Sequence, residues 1–170
     1  MEIPEPWDLE TTQDKLNIFV SSRIKECEAE RRVARDSIRS INHNPILFEH
    51  IGARSVRPRT LYLSRLRDSQ LMIAIYRLGY GFVDGANGMT ISGLEDEFAY
   101  AELNSIPIIL YVHSDEAGRD AKLQELIQRA SAKVTIAFYT DPNELEERIR
   151  NDATAEIVRF VVRPETARRA

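Results

Sequence analysis

The carboxylate of Glu97 is the side chain of this sequence that is best placed to do chemistry. Ser92 and Glu95 stand three residues apart at the start of an apolar run, and this spacing predicts a helix that begins at about Gly93. Glu97 then falls on the flank of the buried stripe, one turn into the helix and beside a glycine-rich loop. A carboxylate in that position can stabilise positive charge on a sugar carbon, or attack that carbon as a nucleophile.

The same acidic run also has a purely structural interpretation. Glu95, Asp96 and Glu97 all lie near the start of the helix, where negative charge complements the helix dipole. Advancing about 100° per residue from Leu94, on the buried stripe, puts Asp96 on the opposite side of the helix. Asp96 is therefore expected to face water, while Glu97 stays open to either interpretation.

The elements that must position Glu97 follow an alternating order. Five apolar, β-rich runs alternate with helical patterns and cover residues 16–21, 45–49, 71–76, 107–113 and 134–139. The third and fourth runs are continuously apolar, as in strands buried on both faces of a parallel sheet. This order predicts an α/β, three-layer, doubly wound domain over residues 15–162, with five parallel strands in the order 2-1-3-4-5. Residues 1–14 are expected to form an N-terminal leader and residues 163–170 a polar tail or linker.

Such a sheet binds ligands beyond the carboxyl ends of its strands, where the strand order reverses, here between the first and third strands. The candidate substrate-binding residues that follow those two strand ends are Ser21, Ser22 and Arg23, then Arg77, Gly79, Tyr80 and Gly81. Hydroxyl and guanidinium groups suit a phosphate, the glycines allow close approach of the backbone, and the tyrosine ring can stack on a base. Helix capping, turn geometry and packing are the structural alternatives for the same residues.

Two charged residues lie on or beside the apolar stripe of the first predicted helix. Glu30 falls inside the stripe and Arg31 on its edge. Because buried polar groups need partners, Arg31 is expected to be mostly buried and to pair with Glu30 or Glu97. This network either holds the helix against the rest of the domain or lies near the edge of the sheet where a ligand would bind. On the second alternative Arg31 is a candidate substrate-binding residue.

Composition narrows the function classes. The chain has 170 residues and a net charge of −4, which favours one globular domain and argues against a general nucleic-acid binder. The single Cys27 excludes an internal disulfide, and the three histidines are not at metal-ligand spacings, so no metal site is expected. No apolar run is long enough to span a membrane and no signal peptide precedes the first strand, so a cytoplasmic location without membrane contact is expected.

Several catalytic and nucleotide-binding motifs are missing from the sequence. No G-x-G-x-x-G follows the first strand, which argues against a dinucleotide-binding Rossmann domain. Neither a P-loop nor a G-x-S-x-G nucleophile elbow occurs, so P-loop NTPases and serine hydrolases of that type are excluded.

Three segments together resemble a known family. They are Ile-Phe-Val-Ser-Ser-Arg at 18–23 with Glu30-Arg31 downstream, Leu-Gly-Tyr-Gly at 78–81, and Ser-Gly-Leu-Glu-Asp-Glu-Phe-Ala-Tyr-Ala at 92–101. Their order resembles domain-of-unknown-function family 4062, over about residues 15–113. The resemblance implies a TIR-like domain of the kind found beside NACHT- or STAND-type ATPases and in bacterial defence proteins. It also implies self-association, or a downstream ATPase or sensor domain, as possible partners.

A more distant similarity concerns the chemistry of the 93–101 segment. It is similar to the G-T-x-x-E-[IL]-G-[YF]-A segment of nucleoside 2-deoxyribosyltransferases, whose glutamate acts on the anomeric carbon, and TIR-domain NAD hydrolases place a glutamate on the equivalent helix. Carried over to this sequence, that glutamate is Glu97. The aspartate expected before the Gly-Thr pair is absent, with Ile91 and Ser92 there instead, and the threonine is replaced by Leu94. These departures weaken the case for transferase activity and leave hydrolysis, or no catalysis, open.

Two functions from different classes therefore remain. One is an NAD or nucleotide N-glycosidase, for which NAD is a substrate and no cofactor is permanently bound. The other is a non-catalytic module that binds a nucleotide or associates with copies of itself.

Overall fold

The structure is a computed structural model that describes residues 15–159. The predicted leader, residues 1–14, and the predicted tail, residues 163–170, lie outside the described residues. Strands and α-helices alternate along the described part as the sequence predicts. The strands are β1 (Asn17–Ser21), β2 (Asn44–Ile46), β3 (Leu71–Tyr76), β4 (Ile108–His113) and β5 (Ile136–Tyr139). The helices are α1 (Glu28–Ser40), α2 (Pro58–Arg67), α3 (Gly93–Leu103), α4 (Ala121–Ser131) and α5 (Glu144–Ile157), and short 3-10 turns span Phe48–His50 and Gly85–Asn87.

The five strands form one sheet in the order β2-β1-β3-β4-β5, and every neighbouring pair is parallel. This confirms the doubly wound fold and puts the reversal of strand order between β1 and β3. The register pairs Ser21 at the end of β1 with Ala74, so β3 continues for two residues beyond it, to Tyr76. Because side chains alternate along a strand, Ser21 and Tyr76 lie on the same face of the sheet.

Each face of the sheet carries its own hydrophobic core. On one face Ile18 and Ile73 pack with α1 and α5, and on the other Phe19 and Met72 pack with α2, α3 and α4. Cover on both faces explains why all six residues of β3 are buried. Phe98 anchors α3 on the second face, and burial of such a side chain contributes roughly 1.5–3 kcal/mol. That contact fixes the position of Glu97, the residue before it.

Three further features of the described residues concern membrane spans, metal ligands and the thiol of Cys27. Within residues 15–159, no helix is long and apolar enough to cross a membrane, and no group of three or more His, Cys, Asp or Glu side chains is arranged to hold a metal ion. The thiol of Cys27 is buried, and burial together with the charges of Glu30 and Glu26 raises its pKa to about 12. That thiol is therefore protonated at neutral pH and is a poor nucleophile.

Candidate functional site

Glu97 lies at the carboxyl edge of the sheet, against the end of β1. Helix α3 begins at Gly93 as predicted, and the Ser92 hydroxyl accepts a hydrogen bond from the Glu95 N–H at 3.4 Å. One turn later, the Ser21 hydroxyl donates to Oε2 of Glu97 at 2.5 Å. Oε1 of Glu97 has no hydrogen-bond partner within residues 15–159. The parallel sheet therefore brings together two of the predicted site residues, with half of the carboxylate unpaired.

The environment of Glu97 raises its pKa to about 7, from an ordinary value of 4.5. Burial is the largest cause, and the negative charge of Asp96 adds to it. The hydrogen bond from Ser21 and the attraction of the Arg31 cation oppose the shift. Glu97 therefore has both its protonated and its ionised form available near neutral pH, a property common in catalytic carboxylates.

The hydroxyl of Tyr76 is a third polar group in this region. Tyr76 ends β3 on the same face of the sheet as Ser21, and its oxygen is buried without a hydrogen-bond partner in the described part of the chain. Burial, with the nearby negative charge of Glu97, raises the pKa of Tyr76 against an opposing effect of the neighbouring Ser21 hydroxyl, so the Tyr76 hydroxyl stays neutral and remains a donor. An unsatisfied buried polar group destabilises a fold by about 1–3 kcal/mol, which makes this one a candidate contact for a ligand.

Asp96 does not face water, and the prediction that it does was wrong. Its side chain is buried and accepts two hydrogen bonds from Arg59, Nε to Oδ2 at 2.8 Å and Nη2 to Oδ1 at 2.9 Å. The Tyr62 hydroxyl donates a third to Oδ2 at 2.6 Å. Burial alone raises the pKa of Asp96, but the hydrogen bonds from Arg59 and Tyr62 outweigh it and hold that pKa below its usual value. The helical projection failed because α2 packs against α3 and covers its supposedly open side.

Arg31 is buried, as predicted, but it pairs with neither Glu30 nor Glu97. Its partner is Glu49, which accepts from Nε of Arg31 at 2.6 Å and also from Nη2. Glu49 lies in the 3-10 turn after β2, and the pairing of β2 with β1 brings it over α1. A prediction confined to helix faces overlooks this partner, although Glu49, the carboxylate that ends the apolar run at 45–49, was a usable signal.

The remaining donor of Arg31 holds the backbone around Ser21. Nη1 donates to the carbonyl oxygens of Val20 at 3.3 Å and Ser22 at 3.1 Å, and to the Ser22 hydroxyl at 2.8 Å. Val20 and Ser22 flank Ser21, so this arrangement, the Arg31 clamp, fixes the residue that bonds Glu97. All these contacts are within the protein, and direct binding of a ligand by Ser22 or Arg31 stays a prediction.

Three other predicted residues gather at the start of α1, and each has a partner there. Arg77 lies 3.5 Å from Glu30, and Arg23 lies 3.6 Å from Glu26. The Gly79 N–H donates to both oxygens of Glu26, at 3.1 and 3.3 Å. A Cβ on Gly79 would stand 1.8 Å from Nη1 of Arg23. The glycine is therefore needed to leave room for the side chain of Arg23, and its presence does not indicate a ligand. Phosphate binding by these groups would compete with existing ion pairs, and it stays a prediction.

Tyr80 and Gly81 support the start of α3. Tyr80 is buried, its hydroxyl donates to Glu95 and accepts from the Ser92 N–H at 3.2 Å, and Lys122 lies 5.8 Å from the ring centroid. Gly81 has a φ of +97°, in the region that favours glycine, and lies beside Ser92. These contacts account for both residues structurally, and stacking of Tyr80 on a base stays a prediction.

A cavity of about 440 Å³ opens beside Asp96, and we refer to it as the α2–α3 cavity. It lies between the start of α2, the first residue of α3 and the loop that follows β3, and Arg59 and Tyr62 form part of its wall. Glu97 is not among its lining residues. No pattern in the sequence predicts this cavity, because its presence depends on how α2 packs against α3.

Comparison with known proteins bears on the family only. No curated protein matches the chain significantly. Residues 17–154, which run from the first residue of β1 well into α5, match the family described as "Domain of unknown function (DUF4062)". Since the match covers all five strands and most of the 170 residues, the chain belongs to the DUF4062 family.

Proposed function

We propose that this domain is a TIR-like, nucleotide-processing effector or signalling domain that cleaves the N-glycosidic bond of NAD or a related nucleotide in a defence-type system. The observation that supports it best is the environment of Glu97 at the reversal point of the sheet. This carboxylate is partly buried, has a pKa of about 7, and accepts one hydrogen bond, from Ser21. Such a group suits a reaction in which positive charge develops on a sugar.

The reaction requires little beyond one carboxylate. The bond between ribose C1′ and the pyridinium nitrogen breaks, its electron pair passes to that nitrogen, and neutral nicotinamide leaves without a proton. Ionised Glu97 stabilises the cationic sugar, or forms a transient bond to C1′. A water oxygen then bonds to C1′, displacing the Glu97 carboxylate if it is attached, and the proton that the water loses passes to that carboxylate and from there to solvent.

The surroundings of Glu97 support this assignment because they hold Ser21 in place without supplying a cation that bonds the Glu97 carboxylate. The Arg31 clamp fixes the backbone on both sides of Ser21. Glu49 offsets much of the positive charge of Arg31, because it forms an ion pair with that guanidinium. Glu97 is thus oriented by a hydroxyl and stays only partly ionised near pH 7.

A second candidate function is a non-catalytic, nucleotide-binding module of the same fold. The observation that favours it is the α2–α3 cavity, which has a size suited to a small molecule and is lined without Glu97. In this alternative the domain binds a nucleotide, or assembles with itself, without breaking a bond.

The decisive experiment is to incubate the full chain with NAD and measure free nicotinamide by chromatography. We expect Glu97→Gln to fold normally and to lose about 100- to 1,000-fold in rate, the typical effect of removing a transition-state electrostatic contact. The matched control is Glu102→Gln on the same helix, whose carboxylate is exposed and pairs with Lys133 at 2.7 Å. That variant should keep the wild-type rate.

Two results would refute catalysis by Glu97. One is an equal rate for wild type and Glu97→Gln, and the other is the absence of nicotinamide release by wild type across the neutral pH range. Binding of NAD without release would instead support the module.

A further inference from the structure

The α2–α3 cavity is close to Glu97 but is not used by the site described above. Arg59 and Tyr62 line it, and both bond Asp96, the residue next to Glu97. The negative charge of Glu97 also contributes to the raised pKa of the Tyr62 hydroxyl, as expected for neighbouring groups. A ligand in the cavity would therefore contact two side chains that bond Asp96, the neighbour of the candidate catalytic carboxylate.

One wall of the cavity offers an unusual apolar surface. The side chain of Phe82 is 80% exposed, although aromatic rings are normally buried in a domain of this size. Met89 lies in the same lining and is also apolar. An exposed aromatic ring on the rim of a concave site is suited to stacking against a flat aromatic ligand.

The other wall offers cations. Arg57 and Arg59 both line the cavity at the start of α2. Asp96 holds the Arg59 guanidinium through Nε and Nη2, so its orientation is fixed while Nη1 has no hydrogen-bond partner within residues 15–159. Asp84 is the carboxylate in the lining, and it accepts a hydrogen bond from Asn87 at 2.6 Å. A guanidinium that is already oriented is a favourable site for a phosphate oxygen.

We propose that the α2–α3 cavity binds a nucleotide, with its base stacked on Phe82 and its phosphate held by Arg57 and Nη1 of Arg59. The cavity volume of about 440 Å³ lies within the range usual for small-molecule sites. The sugar then lies between the two walls and faces the start of α3. The inference rests on the proposed function for the class of ligand, and its test does not require turnover.

The test is calorimetric titration of the full chain carrying Glu97→Gln, which prevents turnover, with NAD, AMP and ribose 5-phosphate. Phe82→Ala should weaken binding of NAD and AMP about tenfold, as expected for loss of one base-stacking contact. It should leave ribose 5-phosphate, which has no base, unaffected. The matched control is Phe138→Ala, since Phe138 is exposed on β5, outside this cavity, and its loss should change nothing.

A second pair of variants tests the phosphate contact. Arg57→Ala should weaken all three ligands, while Arg65→Ala, at an exposed position near the other end of the same helix, should weaken none. If Arg57→Ala weakened binding of NAD and AMP but not of ribose 5-phosphate, the assignment of Arg57 to the phosphate would be overturned. Equal weakening by Arg57→Ala and Arg65→Ala would overturn it as well, because it would indicate a general effect of charge.

The outcomes separate this inference from the proposed function. Equal affinity of Phe82→Ala and Phe138→Ala for NAD, or no binding of any probe at millimolar concentration, would overturn the inference. Binding that depends on Phe82, without nicotinamide release by wild type, would support the inference and refute catalysis. Nicotinamide release that is lost in Glu97→Gln, with the KM unchanged in Phe82→Ala, would refute the inference and leave the proposed function standing.

Discussion

Glu97 and Asp96 are neighbours on α3, yet their carboxylates lie in opposite environments. Asp96 accepts two hydrogen bonds from Arg59 and one from Tyr62, whereas Glu97 accepts one, from Ser21. Both carboxylates are removed from water to some extent, and this burial by itself would raise the pKa of each. Pairing then lowers the pKa of Asp96 below its usual value, while that of Glu97 rises to about 7. The number and charge of the partners therefore decide the sign of the shift.

The difference shows how one helical turn can serve both stability and chemistry. Asp96 joins α2 to α3, and its three hydrogen bonds leave it little capacity to act on a ligand. Glu97 keeps an oxygen without a hydrogen-bond partner among residues 15–159, which leaves that oxygen free to accept a bond from a ligand. Each acid also depends on an arginine, since Arg59 bonds Asp96 directly, whereas Arg31 acts on Glu97 through its charge and by holding the backbone around Ser21.

Removing Arg31 should produce the largest loss of stability in this comparison. Arg31→Ala leaves the Glu49 carboxylate without its cation and frees the carbonyl oxygens of Val20 and Ser22. Breaking a buried ion pair on one side typically costs about 3–5 kcal/mol, which we expect to see in the free energy of unfolding by urea at neutral pH. The control is Arg35→Ala on the same helix, whose pair with exposed Asp36 should contribute about 1 kcal/mol or less. Similar losses in both variants would show that the clamp adds nothing beyond a surface ion pair.

Replacing Glu97 should change how stability depends on pH. Its pKa is higher in the folded chain, about 7, than the ordinary 4.5, so the folded state resists ionisation. Wild type therefore loses stability as pH rises from 4.5 to about 7, and Glu97→Gln does not. The stability of the variant relative to wild type should rise by about 3 kcal/mol across this window, measured by urea unfolding at several pH values. A difference that stays constant with pH would mean that Glu97 titrates as an ordinary surface carboxylate.

Features that follow from the parallel topology could be predicted from the sequence. Continuous apolar runs at 71–76 and 107–113 indicated buried strands, and the alternation of strands with helices fixed their order. Once the reversal lies between β1 and β3, the residue that ends β1 and the helix that follows β3 must meet at one edge. The proximity of Ser21 and Glu97 is a consequence of that rule and of the capping pattern at Ser92.

Features that depend on packing between helices, or on the edge strand, could not be predicted in this way. The helical projection places Asp96 in solvent because it considers one buried face of α3, whereas that helix is covered by the sheet and also by α2. The sequence pattern predicts Glu30 or Glu97 as the partner of Arg31, whereas the observed partner, Glu49, lies in the turn after β2. In both cases the missing information was the position of an element distant in sequence, which periodicity does not contain.

Asp96→Asn should give the smallest change, with a pH dependence opposite to that of Glu97→Gln. The pKa of Asp96 is lowered in the folded chain, so its contribution to stability is present above the ordinary value of 3.8 and is lost as pH falls through the folded value. At neutral pH the variant should lose about 2 kcal/mol, mainly from the bond to the buried Tyr62 hydroxyl, since Arg59 is 55% exposed and its ion pair is screened. Urea unfolding of wild type and variant at neutral pH, and again below pH 3.8, would show the difference shrinking in acid. The same variant should keep most of the kcat for nicotinamide release, because Asp96 is placed at no reacting atom, and any effect of loosening Arg59 should appear in KM instead. A loss of release as large as that in Glu97→Gln, in a variant that is still folded, would contradict the division of roles between these neighbouring acids.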